Sequence, residues 1–91
     1  MLISFVIPVL NEEDSIAILV SEIIANISTY EYEIVFIDDG SRDQSNEIMQ
    51  SLAEQNSKIK IIKFRKNFGK SAALQKGFEV ASGEIVFTLD A

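Results

Sequence analysis

The chain has 91 residues, 47% hydrophobic and 24% charged, with a formal net charge of −6, no cysteine and no histidine. That allows one small domain with a core of little margin. It excludes a disulfide framework, thiolate and imidazole metal sites, and Ser-His or Cys-His nucleophiles, so any chemistry rests on carboxylates, lysine, arginine or a bound metal.

Residues 3–9 are an apolar, β-branched run and predict a first strand. Asn11 is suited to cap a helix, with Glu12, Glu13 and Asp14 in a first turn where the helix dipole favours acids. Ile16, Leu19, Val20, Ile23, Ile24 and Ile27 recur at helical spacing and predict one apolar stripe packed on a sheet. Ile34-Val35-Phe36-Ile37 marks a second strand over 33–38, and Asp39-Gly40-Ser41 a turn. A helix over 43–55 turns Ile48, Met49, Leu52 and Ala53 inward. Ile59, Ile61, Ile62 and Phe64 mark a third strand, and 65–69 a polar loop. A third helix over 70–81 turns Ala73, Leu74, Phe78 and Ala81 inward. It stops at Ser82-Gly83, with Gly83 suited to the left-handed position after a helix. Residues 84–90 make a fourth strand.

The pattern βαβαβαβ predicts an α/β fold: a Rossmann-like three-layer α/β/α sandwich on a parallel four-stranded sheet. Strands one, two and four are apolar throughout, as expected when helices cover both faces. Right-handed crossovers, with the third reversing to the far side of strand one, give the order 3-2-1-4. The fourth strand is then an edge with no charge to interrupt it, which predicts self-association of the chain or marginal stability as a monomer.

The charges are segregated: residues 1–55 hold 11 acids and one base, and residues 56–91 three acids and seven bases. Two differently charged solvated faces would account for this. So would a site with acids near a metal or base edge and cations near phosphate. The basic cluster is too small, and the chain too acidic, for a nucleic-acid groove. The apolar start lacks a basic leader and is broken by Pro8, and no stretch approaches the roughly 20 apolar residues of a membrane span. A cytoplasmic location is the simplest expectation.

In open parallel sheets, ligands bind beyond the carboxyl ends of the strands, where strand order reverses. Strand one runs there into Pro8, Asn11, Glu12 and Glu13. Strand two ends in Asp38-Asp39-Gly40-Ser41, strand three in Arg65-Lys66-Asn67-Phe68-Gly69-Lys70, and strand four in Asp90. A carboxylate among Asp38 and Asp39 can accept from a nucleobase ring N–H or from ribose hydroxyls; the other serves the turn, with Ser41 or Asp43 capping the next helix. The loop 65–70 brings three cations and Gly69 to a helix N-terminus, an arrangement suited to a diphosphate or simply to solvent. Asp90 ends a strand read as buried, where a carboxylate needs a partner, a cap role or a metal.

The segments Ile7-Pro8-Val9-Leu10-Asn11-Glu12-Glu13, Ile37-Asp38-Asp39-Gly40-Ser41, Arg65-Lys66-Asn67-Phe68-Gly69-Lys70-Ser71-Ala72-Ala73-Leu74-Gln75-Lys76-Gly77 and Thr88-Leu89-Asp90-Ala91 resemble, in order and spacing, the GT-A glycosyltransferases of family 2. The likeness is greatest to polyprenyl-phosphate sugar transferases of the dolichyl-phosphate mannose synthase type, and it covers the whole chain. It implies a Rossmann-like half that holds a UDP- or GDP-sugar and an inverting transfer to a lipid-phosphate or glycan acceptor. Pro8 and Glu12 would sit by the nucleoside and Asp39 by the base or ribose. Asp90 would open an Asp-x-Asp motif for Mg2+ or Mn2+, which stabilises the leaving diphosphate. With the rim residues, the expected nucleotide-contacting set is Pro8, Asn11, Glu12, Asp38, Asp39, Gly69, Lys70 and Asp90. The sequence stops one position short of the motif's second Asp. Residues 1–91 are therefore expected to be the nucleotide-sugar-binding N-terminal part of a GT-A domain, inactive alone, from an enzyme that acts in the cytoplasm or at the inner face of the membrane.

Two alternatives share the sheet: a sugar nucleotidyltransferase and a non-catalytic nucleotide-binding module. The nucleotidyltransferase would carry a Gly-rich basic loop after strand one, where this chain has Pro-Val-Leu-Asn-Glu-Glu. A dinucleotide-binding domain would carry Gly-x-Gly-x-x-Gly there. A receiver domain would have its acid pair after strand one and a lone Asp after strand three.

Overall fold

The computed structural model describes residues 1–27 and 29–91. In chain order its elements are β1 (Leu2–Val9), α1 (Ile16–Ile27), β2 (Glu31–Asp38), α2 (Ser45–Gln55), β3 (Ile59–Lys63), α3 (Lys70–Val80) and β4 (Ile85–Thr88). The four strands form one sheet in the order β3-β2-β1-β4, and every neighbouring pair is parallel. The sheet order and the α/β class follow the expectation from sequence.

The two central strands carry the core because their side chains are covered on both faces. On one face Phe5, Ile7, Val9, Ile34 and Phe36 meet Ile16, Val20 and Ile23 of α1 and Met49 of α2. On the other, Val6, Val35 and Ile37 meet Ala73 of α3, with Leu74 and Val80 packed around them. This double coverage is why β1 and β2 read as continuous apolar runs rather than alternating ones.

Pro8 sits in a central strand, where a missing N–H is normally costly. The register explains it. Leu89 N–H donates to Val6 O, so the backbone of Val6, and therefore of Pro8 two residues on, faces β4. The β1–β4 pairing ends at Val6↔Thr88, below Pro8. No ladder bond is lost, and the sheet opens between β1 and β4 at the level of Pro8.

Several local expectations are corrected. Asn11 does not cap α1, which begins at Ile16 with no acid in its first turn; Asn11 instead adopts φ 55° and turns the chain toward β2. Ile24 and Phe78 are exposed rather than inward. α3 contacts the sheet along Ala73 and Gly77, so close that a Cβ on Gly77 would overlap Val6 Cγ1, and this contact rotates Phe78 to the flank. Gly83 is not left-handed; α3 ends at Ala81 in an extended conformation. Glycine is required at 83 because a Cβ would lie 2.5 Å from Ser4 Oγ. The fourth strand is short and exposed at every residue, since it has a neighbour on one side only.

Candidate functional site

At the carboxyl ends of the strands, the loops after β1 and β2 are welded together by side chains. Asn11 Oδ1 accepts from Arg42 N at 2.8 Å and Asp43 N at 3.3 Å, and Asn11 N donates to Ser41 Oγ at 3.0 Å. Glu12 N donates to Ser45 Oγ at 2.8 Å, and Glu13 N to Asp43 Oδ2 at 3.1 Å. Asp43 Oδ1 also accepts from Ser45 N at 2.8 Å, a local turn ahead of α2. The helix starts two residues later than the sequence predicts, after Gln44 and with no side-chain cap, so neither Ser41 nor Asp43 caps it as expected. Desolvation works to raise the Asp43 pKa, but the hydrogen bonds from Ser45 and Glu13 outweigh it and hold the carboxyl below its ordinary value. Asn11 is thus occupied in positioning the rim.

The Asp38-Asp39 pair divides its labour. Asp38 is fully buried, with Oδ1 accepting from Ser41 N at 2.8 Å and Oδ2 from Asn46 Nδ2 at 3.0 Å. It builds the turn and does not reach the cavity described below. Asp39 is 4% exposed. Its Oδ1 accepts from Phe68 N at 2.8 Å and its Oδ2 from Gly69 N at 3.1 Å, so it clamps the loop after β3. Asn67 Oδ1 shares the Gly69 N–H at 2.9 Å. The amide of Gly69, a residue expected from sequence to contact the nucleotide, is therefore already engaged.

Between these loops lies a cavity of about 440 Å³. Pro8, Glu12, Asp39, Gly69, Lys70 and Asp90 all line it, so six of the eight sequence-derived residues converge there; Asn11 and Asp38 do not. Asn67, absent from that set, lines it as well. The signal for Asn67 was its place two residues before Gly69 at a helix start, the pattern of a side chain that turns its own backbone. Lys70 Nζ lies 2.7 Å from Asp90 Oδ1 across the mouth, and the Asp90 side chain is 77% exposed. Asp90 therefore does not end a buried strand, as the sequence suggested, but stands in solvent beside a lysine. Among the described residues, no group of three or more acids converges as a metal cage. Asp90 fits a hard divalent cation in donor type and access, since Mg2+ is commonly held by one or two carboxylates together with substrate phosphates. Among the described residues, no helix is long and apolar enough to cross a membrane.

Comparison with known proteins adds four observations. Residues 4–91 match the sequence model of glycosyl transferase family 2. The chain is 44% identical over 98% of its length to an undecaprenyl-phosphate 4-deoxy-4-formamido-L-arabinose transferase of Pseudomonas fluorescens, of which it spans 27%. It superposes with TM-score 0.86 and 26% identity on S. aureus TarS in complex with UDP, covering 99% of this chain and 27% of that one. The TM-score is 0.74, at 26% identity, with the mannosyltransferase PcManGT of Pyrobaculum calidifontis in complex with GDP-Man and Mn2+, covering 97% of this chain and 26% of that one.

Proposed function

The chain belongs to glycosyl transferase family 2, and on that premise we propose that its strand-end cavity holds the nucleoside diphosphate of a UDP- or GDP-sugar. The observation that carries the reading is the convergence of a buried carboxylate, Asp39, and an exposed Lys70–Asp90 pair on one cavity at the carboxyl rim of the sheet. An ionised carboxylate has about four acceptor sites. Asp39 uses one on each oxygen for the loop amides, and the remaining two suit a nucleobase N–H or ribose hydroxyls. Pro8 and Glu12 wall the nucleoside end, and Lys70 supplies charge for the diphosphate at the start of α3. Asp90 would hold Mg2+ or Mn2+. When bound, that cation neutralises charge developing on the leaving diphosphate.

The chain spans about a quarter of the length of the relatives it matches. For the whole protein we infer an inverting transfer of a sugar to a polyprenyl phosphate, at the cytoplasmic face of a membrane. The transferase relative named for undecaprenyl phosphate supports that acceptor class, and the UDP- and GDP-Man-bound neighbours support the donor class. Residues 1–91 are the donor-binding part of that domain. The exposed edge at β4 further supports self-association of the isolated chain.

Calorimetric titration of the 91-residue chain with UDP and with GDP, in the presence of Mn2+, tests the donor reading. Saturable binding of one of them, weakened about tenfold by Asp39→Asn, is expected from the loss of a charge-assisted hydrogen bond. No heat with either nucleotide, or binding unchanged by Asp39→Asn, would overturn it.

A further inference from the structure

The loop after β3 does not send all its cations to one place. Lys70 faces the strand-end cavity, whereas Arg65 and Lys66 line a second concavity of about 300 Å³ on the other side of Asn67, together with Gly40, Ser41, Arg42 and Lys63. Four of the eight Lys and Arg residues of a chain with net charge −6 therefore surround one hollow, and no acid lines it. None of the four makes an ion pair among the described residues. Four like charges around a hollow repel one another, and that repulsion is relieved by an anion at their centre.

The backbone beneath them is fixed. Gly40, at φ 84°, presses on the loop so closely that a Cβ there would lie 2.7 Å from Asn67 N and Lys66 C. Phe64 N donates to Asp38 O at 2.8 Å, and Asp39 clamps Phe68 and Gly69. Arg42 is held from the opposite side, its N–H donating to Asn11 Oδ1. The cations thus stand on anchored loops from two strand ends, and Ser41 adds a hydroxyl between them.

We propose that this hollow is a second anion site, separate from the nucleotide cavity, and that it takes a phosphoryl group. Two guanidinium groups offer forked donors that match phosphate oxygens, while Lys63 and Lys66 act as point charges. A volume of about 300 Å³ suits one or two phosphoryl groups and no large apolar ligand, and is at the lower limit for small-molecule sites. The phosphoryl group belongs to a soluble polyphosphate or to an anionic lipid headgroup.

The test uses the 91-residue chain carrying Lys70→Ala, so that the nucleotide cavity lacks its cation. NMR titration with inorganic pyrophosphate at constant ionic strength is expected to give saturable shifts at Gly40, Ser41, Arg42, Arg65 and Lys66. Arg42→Ser alone, and Arg65→Ser with Lys66→Ser, should each weaken the binding about tenfold, and all these side chains are exposed enough to leave folding intact. Absence of saturation, or saturation unaffected by both sets of substitutions, overturns the proposal. Co-sedimentation with phosphatidylglycerol vesicles, against phosphatidylcholine, identifies the source. Binding lost in the same variants assigns a lipid headgroup, and pyrophosphate saturation without vesicle binding assigns a soluble anion. Vesicle binding that survives the substitutions, without pyrophosphate saturation, also overturns it.

Discussion

Lys70 Nζ and Asp90 Oδ1 meet at 2.7 Å across the mouth of the strand-end cavity, one from the first residue of α3 and the other from the segment beyond β4. Both side chains are more than half exposed, so the pair adds little to stability. Its interest is that each partner has a separate role in the proposed donor site, Lys70 toward the diphosphate and Asp90 toward the metal. Lys70→Ala is expected to leave the melting temperature within experimental scatter while weakening nucleoside diphosphate binding about tenfold, as for loss of one charge-assisted contact. Asp90→Asn should leave nucleotide binding in chelator intact and remove its enhancement by Mn2+. Calorimetry with and without the cation measures both.

At the opposite end of the sheet, Glu33 of β2 ties β1, β3 and the connection between α3 and β4 together. It accepts from Ser4 Oγ at 2.5 Å, from Lys60 Nζ at 2.7 Å and from Ser82 N at 2.6 Å, and Gly83 N in turn donates to Ser4 Oγ at 2.8 Å. Burial works to raise its pKa, but the hydrogen bonds from Lys60, Ser4 and Ser82 and the Lys60 charge outweigh it and leave the carboxyl below its ordinary value of 4.5. A lowered folded pKa means the stabilisation is complete above the ordinary value and is lost as pH falls through the folded one. Urea unfolding should therefore show stability falling as pH drops below 4.5. Glu33→Ala should cost about 2–3 kcal/mol at neutral pH by stranding the Ser82 N–H and the Ser4 hydroxyl, and should flatten that acid dependence.

Gly77→Ala tests the contact between α3 and β1. Alanine is a better helix former than glycine by about 1 kcal/mol, yet its Cβ would overlap Val6 Cγ1 in a fully buried position. Overpacking should win, with net destabilisation of about 1–3 kcal/mol. Pairing it with Val6→Ala should cost less than the sum of the two single changes, which denaturant titration of the double-mutant cycle would measure.

The exposed edge at β4 is the ground on which association of the isolated chain is proposed. Ile85, Val86 and Phe87 are 37–49% exposed, and Phe87 stacks on Phe5 with ring centroids 5.8 Å apart at the border of the core. Light scattering over a dilution series should show concentration-dependent oligomers, reduced by Val86→Lys, which places a charge on the strand edge. A monodisperse monomer at all concentrations would show that the edge is protected.

The sheet order was legible because Ile3–Val9 and Ile34–Ile37 are apolar without alternation and each is followed by a helical stripe, a pattern that admits few topologies. Asp39, Lys70 and Asp90 were legible as a rim because strand ends collect ligands in such sheets. The role of Asn11 was not, because its partners lie about thirty residues away; that one acid of the Asp38-Asp39 pair serves the turn was legible, but that Asp38 is the one was not, because local sequence does not encode the geometry of the turn. Phe78 misled because its spacing from Leu74 is helical, whereas the true contact stripe is marked by the small residues Ala73 and Gly77. The split of the 65–70 loop between two hollows depends on Gly40 pressing against Asn67, a long-range contact absent from any local pattern.

The proposed donor site places one nucleoside diphosphate in the cavity lined by Pro8, Asp39, Lys70 and Asp90. Its most direct test is an NMR titration of the 15N-labelled chain with UDP or GDP and Mg2+. Saturable shifts are expected at the amides of Val9, Leu10, Glu12, Asp39, Asn67, Gly69, Lys70 and Ala91, with the helix surfaces of α1 and α2 unmoved. Saturable shifts confined to those helices, or to the hollow around Arg42 and Arg65, would contradict it.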